Sequence, residues 1–559
     1  MGVAQHRVAR RRPAGWTIVA LLVAILVAAP LLTVPASLLD GDALAGTGGR
    51  LLPEALRASI VLALGVGAGT LLLGGALAAL VSFYDFPGRG WLEWMLVLPL
   101  AMPAYVLVFV LLGQYDADGT LQRALRSVLG DGFVLPDVRS TWGAIAVLTL
   151  VLYPYVFVLG RAAFLEQSRD TFEAARVLGL KHHQAVVRLA LRSARPGLAA
   201  GVALAVMEAL ADFGAVNLLN YRALTDAIYR LWYGAFDRDG ALQLATVLLG
   251  LALGLLLVER MLRGRARYLG ALTRGEAVVP RRLHGARAAL ALALPALLLT
   301  VVLVLPLAQL VAWAVGSLDE PGLASRLAGD AGTSLLLGAA AAVLASLLAT
   351  VIAYGRRVSP SRTGAALARL TTLGYALPGS VVAVAVYAPL AWIDRRIIGA
   401  GRDLFDADLG LLFTGSVLGL LFAYIVRFHA LALFAVGARL ARLDPAYDDA
   451  ARSLGADRTR VLAEVHAPLL WPGIATAALL VFVEVVKELP ATALLRPLGG
   501  DTLAIAVWEA TKDSRFDTAA LPALLIVLVG LVPTILLARI ARAGTRLERG
   551  VLEAGPPAA

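Results

Sequence analysis

There is no cysteine anywhere in the 559 residues, which excludes disulfide bridges and thiolate metal sites. Charge is scarce as well. Only 16% of the residues are Asp, Glu, Lys or Arg, against about 25% in an ordinary soluble chain. Lysine is confined to Lys181, Lys487 and Lys512, and none stands in a G-x-x-x-x-G-K-[ST] setting, so no ATP-binding P-loop is expected. Histidine offers no cluster at metal-ligand spacing: His6, His182, His183, His284 and His466 fall in or beside predicted loops, and only His429 falls within a predicted span.

What fills the chain instead is apolar, 59% of all residues, gathered into long blocks. Trp16 to Leu39 contains no charge at all. About 20 such residues cross a bilayer core as a helix, and barrel strands are far shorter and alternate. The fold class is therefore all-α, a polytopic helical membrane protein. Twelve spans are predicted, at 16–39, 59–84, 91–113, 141–165, 196–218, 240–262, 287–316, 334–354, 366–393, 410–438, 472–495 and 516–542. Arg7, Arg10, Arg11 and Arg12 before the first span raise the question of a signal peptide. The apolar stretch outlasts a usual signal and no small-x-small site follows, so the span is expected to be retained.

The net charge of +11 does not point to nucleic acid. Basic residues collect in particular loops, as expected of loops facing anionic lipid. The segment from Arg260 to Arg287 is the most basic and lies midway along the chain. This pattern places both termini in the cytoplasm.

The sequence repeats itself. EAARVLG at 173–179 aligns with DAARSLG at 449–455, a shift of 276 residues. The same shift carries Pro196-Gly197 onto Pro472-Gly473, Glu208 onto Glu484 and Asp212 onto Glu488. A shift of 275 pairs 98–111 with 373–386 and Pro103 with Pro378. Two homologous six-helix halves follow, read as a first transmembrane domain at 1–265, a basic cytoplasmic linker at 266–286, a second transmembrane domain at 287–550 and a tail at 551–559.

Each matched loop lies between the fourth and fifth spans of its half. A short helix is predicted from Thr171 to Leu178, ended by Gly179, and its counterpart is ended by Gly455. One alanine-rich surface helix would mean little, but two at equivalent loops demand a shared task. The loops resemble the EAA loops of ABC-importer permeases, whose pattern is E-A-A, three residues, Gly, and later I-x-L-P. The second copy keeps Val465 and Pro468 but begins with Asp449; the first keeps Glu173 but has Arg192 in place of the proline. The resemblance implies that Glu173, Ala174, Ala175 and Gly179, with Asp449, Ala450, Ala451 and Gly455, form coupling helices. Each would seat on one of two copies of a cytoplasmic ABC ATPase, which would bind the ATP and Mg; no cofactor is expected in this chain.

Ionisable residues within spans are functional candidates. Glu208 and Asp212 in the fifth span, and Glu484 and Glu488 in the eleventh, are four apart and are expected to share a helix face. They are translocation-pathway candidates, although Lys487 or neighbouring helices would also satisfy them. ALADFGAV in the first half, with VVKELPATALLRPLGGDTLA and WEATKDSRFDTAALPALL in the second, is similar to the fused permeases of ferric-iron importers, over nearly the whole chain. That implies a type I ABC importer permease fold in the bacterial inner membrane, with a periplasmic or lipoprotein substrate-binding protein. Ferric iron prefers oxygen ligands, which suits a carboxylate path, while similar permeases carry thiamine or aminoethylphosphonate. The segments 222–238 and 501–513 are expected to be external, either capping the pathway and meeting the binding protein or anchored at the interface by Trp232 or Trp508. An ion-coupled secondary transporter would share the repeats and buried carboxylates but has no use for paired EAA loops. A membrane enzyme would need a catalytic constellation, and no such set of residues stands out.

Overall fold

The computed structural model describes residues 15–37, 46–116, 118–167, 173–175, 177–180, 184, 186–263, 279–358, 361–406, 410–444, 446–457, 460–497 and 499–553. Most of the basic linker and of the tail therefore lies outside the described residues, as do Thr171, Phe172, Lys181, His182 and His183.

In chain order the helices of the first half are α1 (Gly15–Ala36), α2 (Thr47–Phe83), α3 (Arg89–Met95), α4 (Ala104–Tyr115), α5 (Thr120–Leu129), α6 (Thr141–Leu165), α7 (Leu191–Ala211), α8 (Gly214–Leu218), α9 (Leu224–Tyr229) and α10 (Arg238–Arg263). The second half continues with α11 (Ala286–Leu299), α12 (Leu305–Gly316), α13 (Leu323–Val358), α14 (Arg362–Leu370), α15 (Gly379–Phe405), α16 (Val417–Ala441), α17 (Ala446–Ser453), α18 (Ala467–Val486), α19 (Pro490–Leu495), α20 (Leu503–Lys512) and α21 (Phe516–Glu553). A π turn at Thr300–Val304 makes α11 and α12 one long rod.

Among the described residues ten helices are long and apolar enough to cross a membrane, and two bent pairs bring the number to as many as twelve. The bent pairs are the predicted third and ninth spans, which are not straight: the chain turns by 86° between Ala101 and Ala104 and by 114° between Tyr375 and Gly379. Pro103 and Pro378 sit in these turns. Proline lacks an N–H and its ring clashes with the carbonyl four residues back, so a helix cannot run through unbroken.

The duplication is visible in small details. Ser140 caps α6 by accepting from Gly143 N at 3.2 Å, and Ser416 caps α16 by accepting from Gly419 N at 3.4 Å. Gly197 and Gly473 repeat a close approach: an added Cβ would lie 2.7 Å from Ala163 Cβ in one half and 2.7 Å from Arg439 Cβ in the other. Small residues permit such backbone proximity between membrane helices, where apolar burial alone drives no association.

The chain divides into two compact units that cut across the halves. One comprises residues to Ala36, Leu335–Leu377 and Ala385–Val485. It holds α1, whose Val27 and Val34 are fully buried and whose Thr33 hydroxyl donates to the Ala385 carbonyl at 3.1 Å. The other comprises Ser37–Ser334, Pro378–Val384 and Val486–Ala559. There Phe109 of α4 packs against Trp313 of α12 and Phe516 of α21, at 5.4 and 5.8 Å between ring centres. The opening helix of each half thus belongs to the unit built mainly from the other half.

Candidate functional site

The two matched loops adopt the same local geometry. Leu178 N donates to Ala174 O at 3.0 Å and Leu180 N to Ala175 O at 3.0 Å; Leu454 N donates to Ala450 O at 3.1 Å and Ala456 N to Ala451 O at 3.0 Å. The second bond in each pair spans five residues and closes over one in the left-handed region, Gly179 at φ +83° and Gly455 at φ +81°. Such closures take up carbonyls that a helix end leaves without partners. A Cβ at either glycine would meet nothing within 4 Å, so backbone angle and not space demands glycine there. A side chain in this region costs about 1–2 kcal/mol.

Glu173, Ala174, Asp449 and Ala450 are exposed, Ala451 is half-buried and Ala175 turns inward at 3% exposure. Sequence reasoning missed the residues that stand out most: Val177, Leu178 and Leu454 are 88%, 82% and 86% exposed. Their signal was the leucine preceding the glycine in both copies. An apolar side chain held outward in an otherwise charged loop suits contact with a partner.

The carboxylates behave differently from expectation. Helix α7 ends at Ala211, and Asp212 has extended backbone angles, φ −69° and ψ 126°. Asp212 therefore leaves the helix that carries Glu208 and does not continue its face. Its Oδ1 accepts from Ala215 N at 2.7 Å, capping α8, while its carbonyl accepts from the Thr225 hydroxyl at 2.8 Å. The second copy repeats the device. Glu488 lies beyond the end of α18, is 4% exposed, and accepts from Ala491 N and Thr492 N at 3.0 Å and from the Thr492 hydroxyl at 2.9 Å, capping α19. Carboxylates at helix N-termini satisfy orphan N–H groups and meet the positive end of the dipole.

The two breaks meet inside one compact unit. A Cβ on Gly214 would lie 2.6 Å from Leu489 Cδ2 and 2.8 Å from Tyr105 Cβ. The Tyr105 hydroxyl donates to the Lys487 carbonyl at 3.4 Å, and Tyr105 lies within electrostatic reach of both Glu488 and Asp212. Glu208 and Glu484 are half-buried, each one turn before its break. No group of three or more His, Asp or Glu among the described residues is placed to hold a metal ion.

The segments 222–238 and 501–513 pack together beside this point. Trp508 is 2% exposed and its indole N–H donates to Asn217 Oδ1 at 3.0 Å; Asn217 Nδ2 donates to Asp226 Oδ1 at 2.7 Å. Asp226 pairs with Arg230 at 2.7 Å. Burial raises the Asp226 carboxyl above the usual range, and the Asn217 and Arg230 contacts pull it back down. The Lys512 ammonium lies 4.3 Å from the Trp508 ring centre, and Tyr229 meets the same ring edge-on at 5.4 Å. Trp232 is 5% exposed. Both tryptophans are thus buried in the protein, which removes the interfacial-anchor alternative for them.

Two stretches of the chain, residues 71–263 and 342–546, match the model of the binding-protein-dependent transport system inner membrane component family. The chain belongs to that family. Each match contains one glycine-ended loop and one carboxylate-capped break. The permease is 25% identical over 494 residues to the Fe(3+)-transport system permease protein FbpB 2 of Haemophilus influenzae, covering 87% of this chain and 90% of that one. It is 27% identical over 273 residues to a putative 2-aminoethylphosphonate transport system permease protein of Salmonella choleraesuis, covering 45% and 93%. It is 28% identical over 197 residues to the sulfate transport system permease protein of Escherichia coli, covering 34% and 68%. This permease is accordingly a fused, multi-pass inner-membrane subunit of a binding-protein-dependent ABC importer.

Proposed function

We propose that the permease imports ferric iron, driven by two ATPase subunits, one docked on each glycine-ended loop. The observation that carries the coupling assignment is the repeated loop geometry: the same hydrogen bonds, the same left-handed glycine and an outward leucine in each copy. Two equal docking points call for two ATPases, which bind the ATP and Mg. Docking on the cytoplasmic side puts both termini there too, with residues 1–265 and 287–550 as the duplicated permease domains. The packed segments 222–238 and 501–513 then lie at the opposite end, where a binding protein delivers its cargo.

Iron as cargo rests on the iron-transport relative, matched along most of both chains, and on the sign of charge at the breaks. Glu208, Asp212, Glu484 and Glu488 suit a cation bound weakly by oxygen and oppose an oxyanion. The aminoethylphosphonate and sulfate relatives support the alternative of an anionic cargo. The ligand retained by the cognate binding protein decides between them, and an oxyanion there rejects iron.

The coupling assignment is tested in proteoliposomes holding the permease, its ATPase and its binding protein. Gly179→Glu with Gly455→Glu is expected to cut uptake at least tenfold. Gly179→Asn with Gly455→Asn should retain most of it, because asparagine tolerates the left-handed region. Normal uptake in the glutamate variant rejects the docking role.

A further inference from the structure

Helix α17, which carries Asp449, Ala450 and Ala451, is held from beneath by a side chain outside that motif. Asp448 Oδ2 accepts from Arg357 Nε at 2.8 Å. Arg357 stands in the last turn of α13, and its guanidinium also donates to the carbonyls of Leu440 at 3.1 Å, Leu443 at 3.0 Å and Asp444 at 3.3 Å. These carbonyls belong to the C-terminal turn of α16 and the link to α17, where a helix lacks internal donors and attracts a cation. The other oxygen of Asp448 lies 2.5 Å from His466 Nε2, without the alignment of a hydrogen bond. His466 is 2% exposed, ends the π turn Val461–His466 ahead of α18, and meets the Tyr354 ring of α13 edge-on at 5.4 Å. The Asp448 carboxylate thereby joins α17 to the end of α13, the Arg357 guanidinium carries the link on to the end of α16, and His466 stands against the same carboxylate ahead of α18. Arg357 and Asp448 keep only 14% side-chain exposure, which protects the pair from solvent screening.

The positions that match these in the first half carry other residue types. A shift of 276 places Val81 opposite Arg357, Phe172 opposite Asp448, Ala190 opposite His466 and Ala78 opposite Tyr354. No ion pair is possible among those side chains.

We infer that Arg357, Asp448 and His466 are positioning residues that tether the second coupling helix to three membrane helices. A tethered helix transmits displacement to α13, α16 and α18 together. The inference deepens the coupling assignment and rests on it.

The chain has no cysteine, so Leu178→Cys and Leu454→Cys each give a single site for a nitroxide label. In the full permease, Asp448→Asn is expected to raise the mobility of the label at 454 and leave that at 178 unchanged. Unchanged mobility at 454, or an equal rise at both sites, overturns the tether. In proteoliposomes with ATPase and binding protein, Asp448→Asn and Arg357→Gln should lower substrate uptake per ATP hydrolysed about fivefold, and Asp448→Glu should recover part of it. An unchanged ratio alongside a mobile label overturns the positioning role. Intact uptake in Gly455→Glu would instead reject the underlying coupling assignment, whatever the label reports.

Discussion

Glu488 stands where a helix would otherwise begin with bare N–H groups in an apolar surround. Its carboxylate meets two of them and the Thr492 hydroxyl. Glu488→Ala leaves those donors buried and unpaired, at a cost of about 1–2 kcal/mol. A lower midpoint of thermal unfolding in detergent is the expected reading. Glu488→Gln keeps one acceptor oxygen but turns its NH2 against the other backbone donor, so it should unfold between the parent and the alanine variant. If its uptake nonetheless falls, the charge itself serves the cargo; unchanged uptake makes Glu488 a cap alone. Residues differ in how openly the sequence declares them. Gly179 and Gly455 were legible because a helix-ending glycine is a local signal written by its immediate neighbours. The caps at Asp212 and Glu488 were not, because hydropathy and spacing treat 196–218 and 472–495 as unbroken runs and carry no mark of backbone angle.

Among the elements, α8, α9, α19 and α20 are short, and most of their residues are buried. Short helices gain little from their own hydrogen bonds, so packing and side-chain partners must hold them. The chain Trp508–Asn217–Asp226–Arg230 does this by linking α20 to α8 and α9. Trp508→Phe keeps the ring against Tyr229 and Phe213 but removes the donor to Asn217, for about 1 kcal/mol. Trp508→Ala also opens a cavity, for about 3–5 kcal/mol. Thermal midpoints in that order are expected, and a phenylalanine variant as damaged as the alanine one would show that the hydrogen bond, not the ring, dominates. The bends at Pro103 and Pro378 belong to the same scale. Both prolines were visible in the sequence, yet apolar runs of spanning length concealed that each divides its span.

For the whole molecule, the consequence of two units that cut across the halves is that neither half is self-contained. Helix α1 belongs with helices of the second half, and α11, α12 and α19 to α21 belong with those of the first. A protease site placed within residues 264–278 should therefore yield two fragments that stay together in detergent and still bind ATPase. Clean separation on a sizing column would show that each half holds itself together. By itself the sequence determined that the chain crosses the membrane many times, that it is duplicated, and where the two helix-ending glycines fall. Those properties rest on composition, periodicity and adjacent residues, which need no fold to be read. Only the tertiary structure decided that the carboxylates cap broken helices, that the two breaks meet at Tyr105, and that Arg357, Asp448 and His466 converge beneath one loop. The caps turn on where the backbone breaks, and the other two features join residues tens to hundreds of positions apart, which packing alone brings together.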